Sequence, residues 1–176
     1  NPEARVAYVD NAPMVLVHAR ALLTSTPEGR TQYIEADLRD PEKILAQPDL
    51  LDTLDLTQPV GLMLIAVLHF IRETPDAVRV VRTLLDALPS GSYMVASNAT
   101  TDFSDPESAA RYRAMIAAGQ VDAFPRTAAE MSEIFTGLEV LDPGFVAVSD
   151  WRAETEPQPR PDPGEVAVYG AVGRKP

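Results

Sequence analysis

An uninterrupted apolar run at residues 60–68 is the feature that most restricts how this chain can fold. The run is far shorter than the roughly 20 apolar residues that cross a bilayer, and it lacks the alternation of a strand with one wet face. Continuous apolar strands are typical of parallel sheets that are covered on both faces. We therefore predict that residues 59–68 form such a strand in an α/β protein.

The segments on either side alternate between short apolar stretches and amphipathic ones. Further strands are predicted at residues 5–9, 31–36, 92–97, 138–141, 145–148 and 165–173. This order predicts a three-layer α/β sandwich with a mostly parallel sheet. The last strands follow one another without a helix, through a connection at residues 153–165 that contains four prolines. An antiparallel pair at one edge of the sheet is therefore predicted.

Local patterns predict where several helices begin and which faces they bury. Asn11 precedes Pro13 and is predicted to cap the first helix. The predicted buried face of that helix is Val15, Ala19 and Leu22. A later helix has the clearest helical period of the chain, at Ala77, Val78, Val81, Leu84, Leu85 and Leu88. Thr127 and Glu130 have the spacing of a capping box, which predicts another helix start.

Composition excludes several classes of function. The chain has 176 residues, 15 basic and 26 acidic side chains, and a formal net charge of −11. One domain of ordinary size is predicted, with a surface that repels nucleic-acid phosphates, so we expect a small-molecule substrate. With no cysteine and two histidines, thiolate chemistry and a His-rich metal site are not expected. No export signal or membrane span is visible, which predicts a cytoplasmic location; the oligomeric state is left open.

Two carboxylates stand at predicted strand ends, where ligands bind in open α/β sheets. Asp10 can accept hydrogen bonds from both hydroxyls of a ribose, or it can simply cap the following helix. Asp37 can accept from the amino group of an adenine, while the Leu38 backbone N–H donates to a ring nitrogen. The alternative for Asp37 is a turn-forming role, which is at least as common for that residue type.

Other polar residues carry weaker signals. His69 follows the central apolar strand and can act as a general base near neutral pH, but a half-buried loop residue bonded to backbone is the favoured interpretation. His18 lies within a predicted helix and is expected to be solvated. Ser97 and Asn98 have no identifiable base, and no nucleophile elbow, P-loop or Gly-x-Gly-x-x-Gly motif is present, so a serine hydrolase is not expected.

Taken in order, residues 8–13, 35–41 and 66–71 resemble the Rossmann-type (class I) S-adenosylmethionine-dependent methyltransferases. The chain more closely resembles a bacterial family of such methyltransferases with largely unassigned substrates. That closer resemblance also rests on residues 91–93, 125–127, 137–139, 142–144 and 169–176. It covers nearly the whole chain, as one methyltransferase-like domain.

The resemblance implies a seven-stranded sheet with an antiparallel last strand and S-adenosylmethionine as cofactor. It implies that Asp10, with Asn11, binds the ribose, and that Asp37 and Leu38 hold the adenine. It also implies that the strand end at Ala66, followed by His69, passes near the methionine part.

The chain departs from the family pattern in one respect. The glycine-rich loop of the family would precede residue 1, so we expect this chain to begin downstream of it and to bind cofactor poorly alone.

Two alternative functions remain open. The first is a nucleotide-dependent oxidoreductase, because such enzymes also use a strand-end acid to bind a ribose. A methyltransferase-like binding module without catalytic activity is the second alternative.

Overall fold

The computed structural model describes all of residues 1–176, which fold into two compact units. The first unit comprises residues 1–58 and 80–89, and the second comprises residues 59–79 and 90–176. The strands are β1 (Arg5–Asp10), β2 (Arg30–Glu35), β3 (Gly61–Leu64), β4 (Tyr93–Ala99), β5 (Glu139–Val140), β6 (Val146–Ala147) and β7 (Val168–Arg174). The helices are α1 (Pro13–Leu22), α2 (Pro41–Leu45), α3 (Pro48–Thr53), α4 (Thr74–Asp86), α5 (Pro106–Ala117), α6 (Ala128–Ile134) and α7 (Pro163–Val166). The predicted α/β class is confirmed. None of the helices is both long and apolar enough to cross a bilayer.

The first unit is built on a parallel pair of strands. β1 and β2 pair from Arg5 opposite Arg30 to Asp10 opposite Glu35, so both strands end at the same edge. The apolar core beside them is Ile34, Ile44 and Leu50. This core joins β2 to the short helices α2 and α3 and fixes the loop after β2, because Leu38 packs against it.

Helix α1 differs from its prediction in both cap and face. Its N-cap is Ala12, not Asn11, and no side chain caps it. Its buried residue is Leu16, whereas Val15 and Leu22 are exposed and Ala19 is half-buried. The face toward β2 is rotated by one residue, about 100° of helix, and continues at Arg20, which donates to the Tyr33 carbonyl oxygen at 3.1 Å.

The second unit contains a five-stranded sheet in the order β3-β4-β7-β5, with β6 also paired to β7. β3 and β4 are parallel, whereas β7 is antiparallel to β4, β5 and β6. The predicted antiparallel C-terminal edge is thus confirmed. The seven strands lie in two sheets rather than in the single sheet that the resemblance implied, because no strand of the chain pairs with the outer edges of β1 and β3.

The strand predicted from the apolar run is much shorter than expected. β3 ends at Leu64, and residues 68–70 form a 3-10 turn. The expectation of two covered faces was also wrong, since Met63 is 69% exposed and Ile65 is 50% exposed. Ala66 has a φ of +52°, and this left-handed conformation ends the extended run. Hydropathy does not report such a reversal.

Most of the predicted helix faces and caps are confirmed. In α4 the buried residues are Ala77, Val80, Val81, Leu84 and Leu85, with Leu88 beyond its end. Val78 is only half-buried, and Val80 was missed. Both hydrogen bonds of the capping box at Thr127 and Glu130 are formed. The start of the predicted last strand is instead the short helix α7, and the strand begins only at Val168.

Candidate functional site

Asp10 closes β1 and shapes the turn that follows. Its Oδ1 accepts a hydrogen bond from the Ala12 backbone N–H at 2.7 Å. That bond orders the entry to α1, but it reaches the N-cap residue and not the first helical N–H groups, so Asp10 is no conventional helix cap. Since a carboxylate offers about four lone-pair positions, most of its accepting capacity remains for a ligand.

A backbone hydrogen bond connects the ends of the two neighbouring strands. The Asp10 carbonyl oxygen accepts from the Ala36 N–H at 3.1 Å, which extends the pairing one residue beyond β2. The Asn11 side chain is close enough to the Asp37 carboxylate to make a small contribution to lowering the pKa of Asp37. The candidate residues of the first unit therefore gather at one edge of the parallel pair.

The Asp37 carboxylate is held by Arg39. The guanidinium contacts both oxygens, with Nε 2.9 Å from Oδ1 and Nη2 2.6 Å from Oδ2, and the Arg39 N–H donates to Oδ1 at 2.9 Å. Chiefly because of the Arg39 side-chain bonds, the pKa of Asp37 falls to about 2. The Arg39 donors occupy most of the lone pairs of the Asp37 carboxylate, so a ligand amino group must displace one of them. The Arg39 side chain is 64% exposed, and exposed pairs of this kind contribute little stability.

We expect Arg39→Gln to raise the pKa of Asp37 from about 2 toward its ordinary value of 3.8. The folded pKa lies below the unfolded one, so the stability linked to Asp37 is present above pH 3.8 and is lost as the pH falls through about 2. The variant should lose less stability across that window. Carboxyl NMR titration and urea unfolding at several pH values measure both effects. Arg82→Gln, an exposed arginine of the same unit, is the control, and an unchanged Asp37 titration would contradict the assignment.

The Leu38 backbone supplies an unused donor beside Asp37. No protein group accepts from its N–H, while the Leu38 side chain packs against the core of the first unit. A carboxylate acceptor and an adjacent fixed N–H donor match the amino group and ring nitrogen at the edge of an adenine. The Leu38 backbone N–H, which the sequence suggested as a donor, therefore has no acceptor within the protein.

In the second unit, the candidate residues lie in the loop after β3. Ala66 adopts its left-handed conformation while its N–H donates to the Ser97 Oγ at 2.9 Å. A non-glycine residue in this region carries strain, which is retained where the surrounding structure fixes it. Ser97 thus has a structural role in positioning the loop.

His69 is half-buried in the same loop. Its carbonyl oxygen accepts from the Phe124 N–H at 2.7 Å, and its ring meets Phe70 edge-on at 4.5 Å. Its Nδ1 is buried without a hydrogen-bond partner. Burial, followed by the charge of Arg126, lowers the pKa of His69, so the imidazole is neutral at pH 7. Backbone bonding fits the favoured interpretation, but the unpartnered nitrogen does not.

Sequence reasoning missed Arg126 as an individual residue. Its guanidinium is buried at 2% exposure and donates to the carbonyl oxygens of Leu68 and Ile71 and to the Asn98 Oδ1. Spacing gives no signal for it, because its partners lie 28 to 58 positions earlier in the chain. The only pointer was its place in the short motif at residues 125–127.

A polar depression of about 420 Å³ lies near the end of β4. It is lined by Phe103, Ser104, Asp105, Ser108, Arg160, Asp162, Gly164 and Glu165. Asp105 caps α5, and Asp162 and Glu165 form the capping box of α7, so these carboxylates have structural roles.

Solved structures place this fold among known proteins. A DUF574 family protein from Streptomyces avermitilis is 48% identical, with a TM-score of 0.86 over 99% of this chain and 66% of its own. A protein from Thermobifida fusca, solved as a candidate methyltransferase, is 37% identical, with a TM-score of 0.84 over 99% of this chain and 64% of its own. A more distant methyltransferase from Methanosarcina mazei, 10% identical with a TM-score of 0.64, shares the fold. The chain spans about two thirds of the length of the first two.

The fold is that of the Rossmann-like methyltransferases. The family model described as S-adenosyl methyltransferase matches residues 1–176, and the chain belongs to that family. No curated protein sequence matches it.

Proposed function

We propose that this chain belongs to an enzyme that uses S-adenosylmethionine to methylate a small molecule. The observation that carries the proposal is the joined pair of strand ends in the first unit, where the Ala36 N–H donates to the Asp10 carbonyl oxygen and brings the Asp10 turn beside the loop of Asp37. Solved structures with the same fold include PigF with S-adenosylhomocysteine and human N-acetylserotonin methyltransferase with S-adenosylmethionine. Family membership supports the same cofactor here.

The residues of the first unit fit an adenosine. In this proposal, the Asp10 carboxylate accepts from the ribose hydroxyls, supported by Asn11. Asp37 accepts from the adenine amino group after an Arg39 N–H releases one of the carboxylate lone pairs. The Leu38 N–H donates to a ring nitrogen. This fit requires a free N–H at Leu38 and unused lone pairs on the Asp10 carboxylate.

The residues of the second unit are assigned to the methionine part. In this proposal, the loop carrying Ala66 and His69 lies beside it. Its strained, hydrogen-bonded backbone supports a role in placing a ligand rather than in filling a core. When bound, S-adenosylmethionine supplies a methyl group that is already activated on a sulfonium. The protein then contributes mainly orientation, and no acid or base is required of the chain.

Calorimetry on the full-length protein tests the proposal. We expect saturable binding of S-adenosylhomocysteine, and no comparable binding of NAD(H). Tight NAD(H) binding without a response to S-adenosylhomocysteine would instead establish the oxidoreductase. Binding without turnover across a broad panel of hydroxyl and amino acceptors would favour a binding module. A bacterial cytoplasmic location remains a prediction, as does the small-molecule class of the acceptor.

A further inference from the structure

A single buried guanidinium holds the end of the loop that follows β3. Nη1 of Arg126 lies 2.9 Å from the Leu68 carbonyl oxygen, and Nη2 lies 2.6 Å from the Ile71 carbonyl oxygen. The same side chain reaches β4 through the Asn98 Oδ1 at 2.8 Å and the start of α4 through the Thr74 Oγ1 at 3.3 Å. Arg126 is 2% exposed, and all four acceptors are uncharged. A buried charge is costly without such bonds, so the guanidinium and the loop stabilise each other.

This loop is held at both ends and has one free acceptor between them. At its start, the Ala66 N–H donates to the Ser97 Oγ at 2.9 Å. Toward its end, the Phe124 N–H donates to the His69 carbonyl oxygen at 2.7 Å. The carbonyl oxygens of residues 67, 68 and 69 all accept hydrogen bonds within the protein, whereas that of Ala66 accepts none. Ala66 is also exposed, so its carbonyl oxygen is the acceptor that this part of the loop offers to a ligand.

The backbone at that free oxygen is restrained more than an ordinary connection requires. Ala66 has a φ of +52°, a conformation that costs free energy in residues other than glycine and persists where the surrounding structure enforces it. Surface loops are usually the more mobile parts of a fold, yet this one is bonded to a buried cation at its end. Groups that bind a ligand have to be held within about 0.5 Å of the productive geometry. The hydrogen bonds of Arg126 supply such a restraint.

We propose that Arg126 is a positioning residue for the methionine part of S-adenosylmethionine. Arg126 is too deeply buried to contact the ligand; it fixes the path of the loop that presents the Ala66 backbone to it. The identity of the ligand and its place beside Ala66 rest on the proposed function. The link between Arg126 and the loop does not, because the hydrogen bonds show it directly.

The inference predicts that Arg126 affects one half of the ligand only. Arg126 and its four partners belong to the second unit, whereas Asp10 and Asp37, which the proposed function assigns to the adenosine, belong to the first. A displaced loop should therefore weaken contacts with the amino-acid part and leave those with the adenosine intact. General misfolding would weaken both.

The test compares two ligands in the full-length protein. S-adenosylhomocysteine and 5′-methylthioadenosine share the adenosine and the sulfur, but only the first has the amino-acid part. Arg126→Lys keeps the positive charge and loses the planar fork that spans two carbonyl oxygens. We expect it to raise the dissociation constant of S-adenosylhomocysteine about five- to tenfold, which corresponds to the loss of roughly one hydrogen bond to the ligand. The dissociation constant of 5′-methylthioadenosine should stay within about twofold of the wild-type value. Calorimetry measures both constants.

The control and the outcomes separate this inference from the proposed function. Arg113→Lys makes the same substitution at an exposed position of α5 and should leave both dissociation constants unchanged. If the wild type binds neither ligand, the proposed function fails and this inference fails with it. If the wild type binds both ligands and Arg126→Lys leaves the ratio of their dissociation constants unchanged, this inference alone is overturned.

Hydrogen exchange in the wild type gives a second test that needs no folded variant. The Phe124 N–H is bonded to the His69 carbonyl oxygen, so its exchange rate reports how often the loop separates from the segment that carries Arg126. At saturation, S-adenosylhomocysteine should slow this exchange several-fold more than 5′-methylthioadenosine does. Equal slowing by the two ligands would overturn the inference, including the case in which Arg126→Lys does not fold.

Discussion

Replacing Asp10 by alanine in the full-length protein is expected to raise the dissociation constant of S-adenosylhomocysteine more than tenfold, on the order of 1.4 kcal/mol or more. The carboxylate is the ribose acceptor in the proposed site, and hydrogen bonds to a charged group are stronger than those to a neutral one. Its Oδ1 already orders the turn through the Ala12 N–H, so the carboxylate does not have to be immobilised when the ligand binds. Isothermal calorimetry measures the change.

Asp10→Asn separates the ribose contact from the turn. The asparagine oxygen can still accept from the Ala12 N–H, so the entry to α1 should be retained, but the charge and one oxygen are lost. We expect nearly unchanged stability together with weakened binding. Asp52→Ala, an exposed carboxylate on α3, should have no effect on binding. An unchanged dissociation constant in Asp10→Ala would contradict the assignment of Asp10 to the ribose.

Phe135→Ala is expected to lower the free energy of unfolding by about 3–5 kcal/mol, as is typical for an aromatic residue removed from a core. Phe135 is 2% exposed at the end of α6, and its ring meets Phe145 edge-on at 5.1 Å. A Cβ on Gly173 would lie 3.0 Å from the Phe135 Cδ1, so the ring packs directly on the backbone of β7. Alanine would leave a cavity between α6 and the antiparallel edge.

Urea unfolding of the full-length protein measures this loss, with Phe70→Ala as the matched control. Phe70 is 54% exposed, so its truncation should cost far less. Similar midpoints for the two variants would show that the packing of α6 on β7 contributes little to stability.

Patterns that repeat along the chain were predicted well from the sequence. The helical period of α4 and the capping box at Thr127 depend on residues three to four positions apart, which adjacent turns bring together in any helix. The alternation of strands and helices defined the α/β class for the same local reason. Strand ends followed by Asp10 and Asp37 then placed two acids at one edge of a parallel pair.

Features that depend on distant partners were not predicted. The β3 run ends early because Ala66 reverses the backbone and bonds to Ser97, which is 31 positions away. The buried face of α1 is shifted by one residue because it is selected by packing on β2, and a short apolar period on one helix does not fix its rotation.

The amino-acid sequence alone determined the class of the fold, the family resemblance and the carboxylates at the ends of β1 and β2, because each follows from local periodicity and from order along the chain. Only the tertiary structure decided that Leu38 has a free N–H and that Arg126 is buried beneath the His69 loop. A charged side chain is expected at the surface unless folding supplies partners for it, and the partners of Arg126 come from three separate segments of the chain.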